Sequence, residues 1–290
     1  MSVPRVAIFG AAGQLGRALA GAFESRGHAV TALTRQEVDV TSQAGVTAAI
    51  ASAAPGLVLN AAAYNLVDAA EADPEAAYGG NALAVLHLAV AAARAGAKLV
   101  HFSSDYVFDG LAGRPYRESD PPRPLGAYGV SKLAGESYAL AYSAEALVIR
   151  VAAVFGPAGT QTPRGNFLET MLRLAAQGKA LRIVADQITS PTYTLTLAER
   201  TADLCAAGAT GLVHAGGGTP VSWHDFAAMI FRQAKLQPSL APIVTSEYPT
   251  PARRPPYSAL GNVRMAALGL APFPALEDCV ADYLKRTNRT

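Results

Sequence analysis

The sharpest constraint in this sequence is the apolar run Val6–Phe9 followed by Gly10-Ala11-Ala12-Gly13-Gln14-Leu15-Gly16. The run does not alternate between polar and apolar residues. It therefore predicts a strand buried on both faces, the kind found in a parallel sheet covered by helices. Residues 17–26 are rich in alanine, with apolar side chains at helical spacing, and Gly27 stands where a helix would stop. Glycines in such a strand-to-helix turn let the chain bend tightly, let a pyrophosphate approach the backbone, and let the helix pack on the strand. The helix N-terminus then presents free N–H groups to the phosphates. Gly10, Gly13, Gln14, Leu15 and Gly16 are thus candidate dinucleotide contacts, the alternative being a mere tight connection.

The same rhythm recurs. Strands are expected at 29–33, Leu57–Asn60, 98–103 and Leu147–Val151, between helices at 42–53, Pro74–Arg94 and 128–142. Alternating strands and helices imply right-handed crossovers. The predicted fold class is α/β, a doubly wound parallel Rossmann sheet over residues 1–155. After Val151 the rhythm breaks. Helices are expected at 166–177, 195–207 and 222–235, with short strands at Leu181–Val184 and 212–214. Residues 156–165 read as loop, and residues 238–256 hold six prolines and little regular structure. Residues 156–290 are expected to form mainly a smaller mixed α/β substrate domain, the chain returning to the sheet around 194–215.

Composition narrows the partners. The chain has 290 residues, 51% hydrophobic and 16% charged, which suits a large core. Its 24 basic and 22 acidic residues leave a net charge of +2, too even for a nucleic-acid or membrane surface. Cys205 and Cys279 are too few for a zinc site or a disulfide framework, and read as free thiols. The N-terminus lacks the pattern of a signal peptide. The longest apolar stretch, around Ala82 to Ala93, falls short of the about 20 residues a bilayer helix needs. A cytoplasmic protein is expected, with monomer and homodimer both open.

Chemistry gathers at five places. Thr34-Arg35 follows the second strand, where an acidic residue would bind the ribose diol of NAD. An arginine there can pair with a 2′-phosphate, which favours NADPH and leaves NADH open. Alternatively Arg35 stacks on adenine or faces solvent. Asp39-Val40 suits an adenine edge, and the small residues of Asn60-Ala61-Ala62-Ala63 leave room for cofactor near the backbone. Tyr128 and Lys132 are four apart at the start of a helix, so they share a face. A neighbouring ammonium is expected to lower the phenol pKa and fit it for acid chemistry. Ser104 ends the fourth strand, at the sheet edge where ligands bind, and can hydrogen-bond a substrate carbonyl.

These residues resemble the dTDP-4-dehydrorhamnose reductase family of the extended short-chain dehydrogenases. The resemblance runs almost end to end. It rests on residues 10–16, Asp39-Val40-Thr41, Asn60-Ala61-Ala62-Ala63-Tyr64 and Val67-Asp68-x-Ala70-Glu71. It continues through Ser103-Ser104-Asp105-Tyr106-Val107-Phe108-Asp109-Gly110, Tyr128-x-x-x-Lys132-x-x-x-Glu136, Gly165-Asn166-Phe167, Asp186-Gln187, Pro191-Thr192 and residues 249–255. The Ser-Asp-Tyr block and the proline-arginine block are its specific parts. The resemblance implies reduction of the C4 ketone of a dTDP-linked 4-keto sugar, with hydride from NADPH and a proton from Tyr128. It implies substrate contacts at Val67, Ser104, Asp105, Tyr106, Tyr128 and Asn166. Arg254 is the candidate for the diphosphate on charge, an ion pair between domains being the other reading.

Three departures stand out. Ala153 occupies the place where the family commonly has an aromatic residue, and Asn65 a place where threonine is common. Arg17 and Ala18 follow Gly16, where some members carry a metal-binding glutamate, so no metal is predicted. Asp105 precedes Tyr106 rather than glutamate, which argues against a 4,6-dehydratase. A 4-ketoreductase for another deoxysugar and a non-catalytic regulatory subunit are the remaining alternatives; intact Ser104, Tyr128 and Lys132 argue against the second.

Overall fold

The computed structural model describes residues 3–163 and 165–289. Met1 and Ser2, part of the segment read for a leader, lie outside the described residues, as do Arg164 of the 156–165 loop and Thr290. The strands are β1 (Val6–Phe9), β2 (Val30–Leu33), β3 (Leu57–Asn60), β4 (Lys98–Ser104), β5 (Leu147–Val151), β6 (Val154–Phe155), β7 (Leu181–Val184), β8 (Ile188–Thr189), β9 (Thr192–Tyr193), β10 (Gly211–His214), β11 (Val221–Ser222) and β12 (Leu240–Ile243). The helices are α1 (Gln14–Glu24), α2 (Gln43–Ala53), α3 (Ala69–Ala72), α4 (Pro74–Tyr78), α5 (Ala84–Arg94), α6 (Ala127–Tyr142), α7 (Phe167–Ala176), α8 (Thr194–Ala206), α9 (Trp223–Gln233), α10 (Val263–Ala267) and α11 (Leu276–Arg286).

Six parallel strands form the central sheet in the order β10-β5-β4-β3-β1-β2. Both faces are covered. Val6 and Ile8 of β1 pack with α1 and α8, while Ala7 and Phe9 pack with α2 and α5. This two-sided burial is why β1, β3 and β5 read as unbroken apolar runs. The edge strand β2 is instead partly exposed and begins at Val30. The order reverses between β1 and β3, which opens a crevice at their carboxyl ends. Residues 10–16 and Asn60 to Ala63 border it.

Several boundaries shift for identifiable reasons. Helix α1 begins at Gln14, three residues before the expected start, because Gly13 is already its N-cap. Ser42, Asn166 and Ser222 lie just outside their helices, where their side chains accept the N–H of Gly45, Glu169 and Asp225. Residues 74–94 do form one helical run, with a π-helical turn at Gly79–Leu83 between α4 and α5. Its 21 residues are long and apolar enough to cross a bilayer by length and composition, which corrects the shorter estimate above. Half of its most apolar stretch is buried within the fold. In particular Val85, Leu88, Ala89 and Ala92 pack under the sheet.

A second core joins α7, α9 and α11 around Phe155, Leu168, Phe226 and Tyr283. Strand β12 pairs in parallel with β7 despite Pro242, within the stretch expected to be irregular. Strand β10 extends the large sheet beside β5, and α8 packs on α1.

Candidate active site

The glycine turn fits its expected role. Gly10 has φ +80°, and a Cβ there would lie 2.5 Å from the Ala62 nitrogen. At Gly16 a Cβ would lie 2.3 Å from the Gly10 carbonyl oxygen. Neither position can carry a side chain without moving backbone. The N-cap of α1 is Gly13, which has no side chain to bond the first N–H groups of the helix. A dinucleotide pyrophosphate fits such a cradle. Gln14 turns the other way: its amide donates to the Val154 carbonyl and accepts from Asn166. Arg35 and Asp39 are exposed beyond β2, and the Asp39 carboxylate accepts from the Thr41 amide and hydroxyl. Asn60 ends β3 with its amide against His101 and accepts the Ala62 N–H.

Tyr128 on α6 lies beside Ser104 at the end of β4, and Lys132, one turn further along α6, reaches the Phe102 carbonyl of β4. Close packing of α6 on the turn after β4 requires Gly129, where a Cβ would lie 2.3 Å from the Tyr106 carbonyl oxygen. Tyr128 keeps part of its ring exposed, while its phenol end is enclosed and lies towards the Ser104 hydroxyl. Burial pushes the phenol pKa up to about 12; the polar Ser104 hydroxyl opposes this and the Asp105 charge adds to it. The expected lowering by Lys132 is therefore corrected. The Lys132 ammonium is buried and donates to the Phe102 carbonyl at 2.6 Å. Its own pKa is pushed down to about 8 by burial, against the pull of Glu136. Desolvation outweighs the one-turn proximity on which the expectation rested.

Glu136 is the next residue on the same helix face. It forms a buried two-pronged ion pair with Arg150 of β5, at 2.8 and 2.7 Å, and accepts the Ser103 hydroxyl. Its four-residue spacing from Lys132 was the readable signal for this anchor. Asp105 is 5% exposed and sits between two hydroxyls, Ser104 at 3.0 Å and Ser258 at 2.5 Å. Burial raises its carboxyl to about 6. Nothing in the local sequence marked Ser258, 153 residues further on.

Val67, Tyr106 and Tyr128 line one small pocket with Ala252, Arg253 and Pro255. Tyr106 meets Tyr128 edge to face, with ring centres 5.8 Å apart. Arg254 stands behind this pocket. Its guanidinium pairs with Asp68 at 2.8 and 3.1 Å and also bonds Thr250. It is thus the ion pair that was the alternative reading. Asn166 does not line that pocket; it caps α7 and donates to the Gly156 carbonyl. A broader depression lies beyond Gln14, lined by Arg17, Pro157, Thr194 and Arg286, and holds none of the reactive side chains. Two further residues of the 66–72 segment matter. Asp68 holds Arg254, and Glu71 accepts the Ala127 N–H at 2.9 Å, capping α6. Ala153 has φ +41°, an uncommon conformation for a residue with a side chain.

With this geometry in view, the sequence model described as the RmlD substrate binding domain matches residues 4–289. The chain belongs to the RmlD family. An RmlD-family relative from Mycobacterium tuberculosis, named dTDP-4-dehydrorhamnose reductase, is 41% identical over 97% of this chain and 92% of its own. Another, from Streptomyces antibioticus, is named a probable dTDP-4,6-dihydroxy-2-methyloxan-3-one 4-ketoreductase. It is 39% identical over 96% of this chain and 95% of its own. A crystal structure of dTDP-4-dehydrorhamnose reductase from Bacillus anthracis, in complex with NADP, superposes with a TM-score of 0.94. It is 31% identical, covering 99% of this chain and all of that one.

Proposed function

We propose that this protein reduces the C4 ketone of dTDP-4-dehydro-L-rhamnose to dTDP-L-rhamnose with NADPH. The observation that carries the reading is Tyr128 lining one pocket with Val67 and Tyr106, beside Ser104 at the end of β4 and one helical turn before Lys132. Residues 10–16 hold the pyrophosphate and Ala61 to Ala63 lie along the cofactor. Arg35 meets the 2′-phosphate, and Asp39 and Val40 the adenine. Bound NADPH supplies the hydride. Tyr128 gives the proton to the ketone oxygen, and Ser104 orients it. Lys132 is held by the Phe102 carbonyl on the same helix face and adds positive charge there. Arg254, fixed by Asp68, and Arg253 at the pocket edge face the diphosphate. Asn166 acts at one remove, through Gln14. The thiols of Cys205 and Cys279 suit a reducing cytoplasm.

The test is loss of reduced-nicotinamide absorbance with purified protein, NADPH and dTDP-4-dehydro-L-rhamnose. Absence of turnover while NADPH still binds would sink the assignment. In the same assay Arg35→Ala should weaken NADPH more than NADH; equal losses would remove the 2′-phosphate contact.

A second reading concerns the sugar. Ala153 brings no aromatic surface to the pocket, and a relative of similar identity carries the name of a different 4-ketoreductase. A panel of nucleotide-linked 4-keto sugars separates the two: the preferred substrate is the one with the higher kcat/KM.

A further inference from the structure

A buried polar pair stands beside the crevice. Strands β3 and β4 run parallel in a register that sets Asn60 next to His101. Both are enclosed, at 1% and 0% exposure. Only one orientation of the Asn60 amide fits its neighbours. Its Oδ1 accepts the Ala62 N–H at 3.2 Å, so its Nδ2 meets His101 Nδ1 at 3.1 Å. An amide nitrogen can only donate, and Nδ1 therefore accepts. The imidazole is then neutral, with its proton on Nε2. Burial and the nearby Lys132 charge both favour that neutral form. Nε2 packs on Gly135 of α6, where a Cβ would lie 3.3 Å away. It has no hydrogen-bond partner among the described residues. A buried donor left unpaired lowers stability. The imidazole is thus a poor side chain for packing alone, and its one polar bond is the one to Asn60.

We propose that His101 is a positioning residue for the dinucleotide: it fixes the Asn60 amide, and through it the Ala61 to Ala63 turn against which Gly10 is seated. This rests on the reading of residues 10–16 and 60–63 as the cofactor site. The contacts form an unbroken chain. His101 Nδ1 holds Asn60 Nδ2, and Asn60 Oδ1 holds the Ala62 N–H. That Ala62 nitrogen is the atom a Cβ on Gly10 would meet at 2.5 Å. The Ala61 N–H donates to the Phe9 carbonyl at 2.9 Å, tying the two turns together. Without the Nδ1 acceptor the Asn60 amide is free to rotate, because its terminal torsion is broad. The Ala62 N–H is then released and the turn loosens against Gly10. Reordering it falls on the binding free energy of the cofactor. The proton chemistry is spared, since Lys132 is held separately by the Phe102 carbonyl.

The experiment measures NADPH Kd by fluorescence titration, kcat at saturating NADPH, and Tm. The variants are His101→Leu, His101→Asn, Asn60→Ala and the His101→Leu, Asn60→Ala double. His101→Leu should raise Kd about fivefold or more and leave kcat within about twofold. Asparagine offers an acceptor oxygen near the place of Nδ1. His101→Asn should therefore stay within about twofold of the wild type in both quantities. The double variant should lose no more affinity than Asn60→Ala, because the two residues act in series. A role in packing alone predicts additive losses, no rescue by asparagine, and kcat and Tm falling together with affinity. Any of those results overturns the proposal, as does wild-type affinity in His101→Leu. If His101→Leu does not fold, His101→Gln takes its place. Its oxygen reaches the place of Nε2 instead, so wild-type affinity there also overturns the proposal. A Gly10→Ala control separates the two ideas. If that variant binds NADPH normally, the reading of the cofactor site falls first. If it binds weakly while His101→Leu binds normally, only the role of His101 falls.

Discussion

At the scale of single residues, desolvation governs the site. Tyr128 holds its proton through the neutral range because burial, helped by the Asp105 charge, outweighs the Ser104 hydroxyl. Tyr128→Phe should therefore cost about 10²- to 10⁴-fold in kcat, with NADPH affinity unchanged in a fluorescence titration. Asp105 carries a stability consequence as well. Its folded carboxyl is raised by burial to about 6, above the ordinary aspartate value of 3.8. Below pH 3.8 it is neutral in both states and adds no penalty. As pH rises towards 6 the unfolded chain releases the proton first, so the fold loses stability and then levels off. Asp105→Asn should accordingly raise stability at pH 8 by about 1–3 kcal/mol relative to its effect at pH 4, read by urea unfolding. Tyr128, Lys132 and Ser104 were legible in the sequence because spacing on one helix and the end of one strand juxtapose them. The direction of the phenol shift was not, because it depends on enclosure by segments distant in sequence.

At the scale of elements, legibility followed the strength of the local pattern. β1, β3 and β5 have the expected limits because apolar runs buried on both faces have sharp ends. Helix α11 was not anticipated, although Leu276, Cys279, Val280, Tyr283 and Leu284 recur at helical spacing and are buried. Prolines hid β12, where Pro242 needs no ladder N–H at a two-stranded edge. The turn before α1 makes the firmest demand on sequence. Gly10→Ala would place a methyl against the Ala62 backbone at positive φ. The conformation alone costs about 1–2 kcal/mol. NADPH binding should weaken as the turn shifts, measurable by calorimetry together with a lower Tm. Unchanged affinity in that variant would argue that the cofactor lies elsewhere.

At the scale of the whole molecule, one ion pair spans the chain. Asp68 and Arg254 are 186 residues apart and tie the segment after β3 to the proline-arginine segment. No sequence spacing could announce its partner, which is why the sequence left Arg254 open between a diphosphate contact and an ion pair between domains. The pair is partly exposed, with Asp68 at 42% and Arg254 at 22%. Its removal by Asp68→Asn should cost less than about 1 kcal/mol of stability. The same change should raise KM for the nucleotide sugar several-fold while leaving KM for NADPH alone; a global loss of stability with both KM values raised would mean the pair is structural only. The neighbouring residues extend this point. Val67 borders the pocket, Asp68 grips the distant segment, and Glu71 caps the helix that begins beside Tyr128. A ligand that packs against Val67 is therefore expected to steady the Glu71 bond to the Ala127 amide. That amide becomes a built-in reporter of occupancy: its deuterium uptake should slow when nucleotide sugar binds, and Glu71→Ala should silence the response.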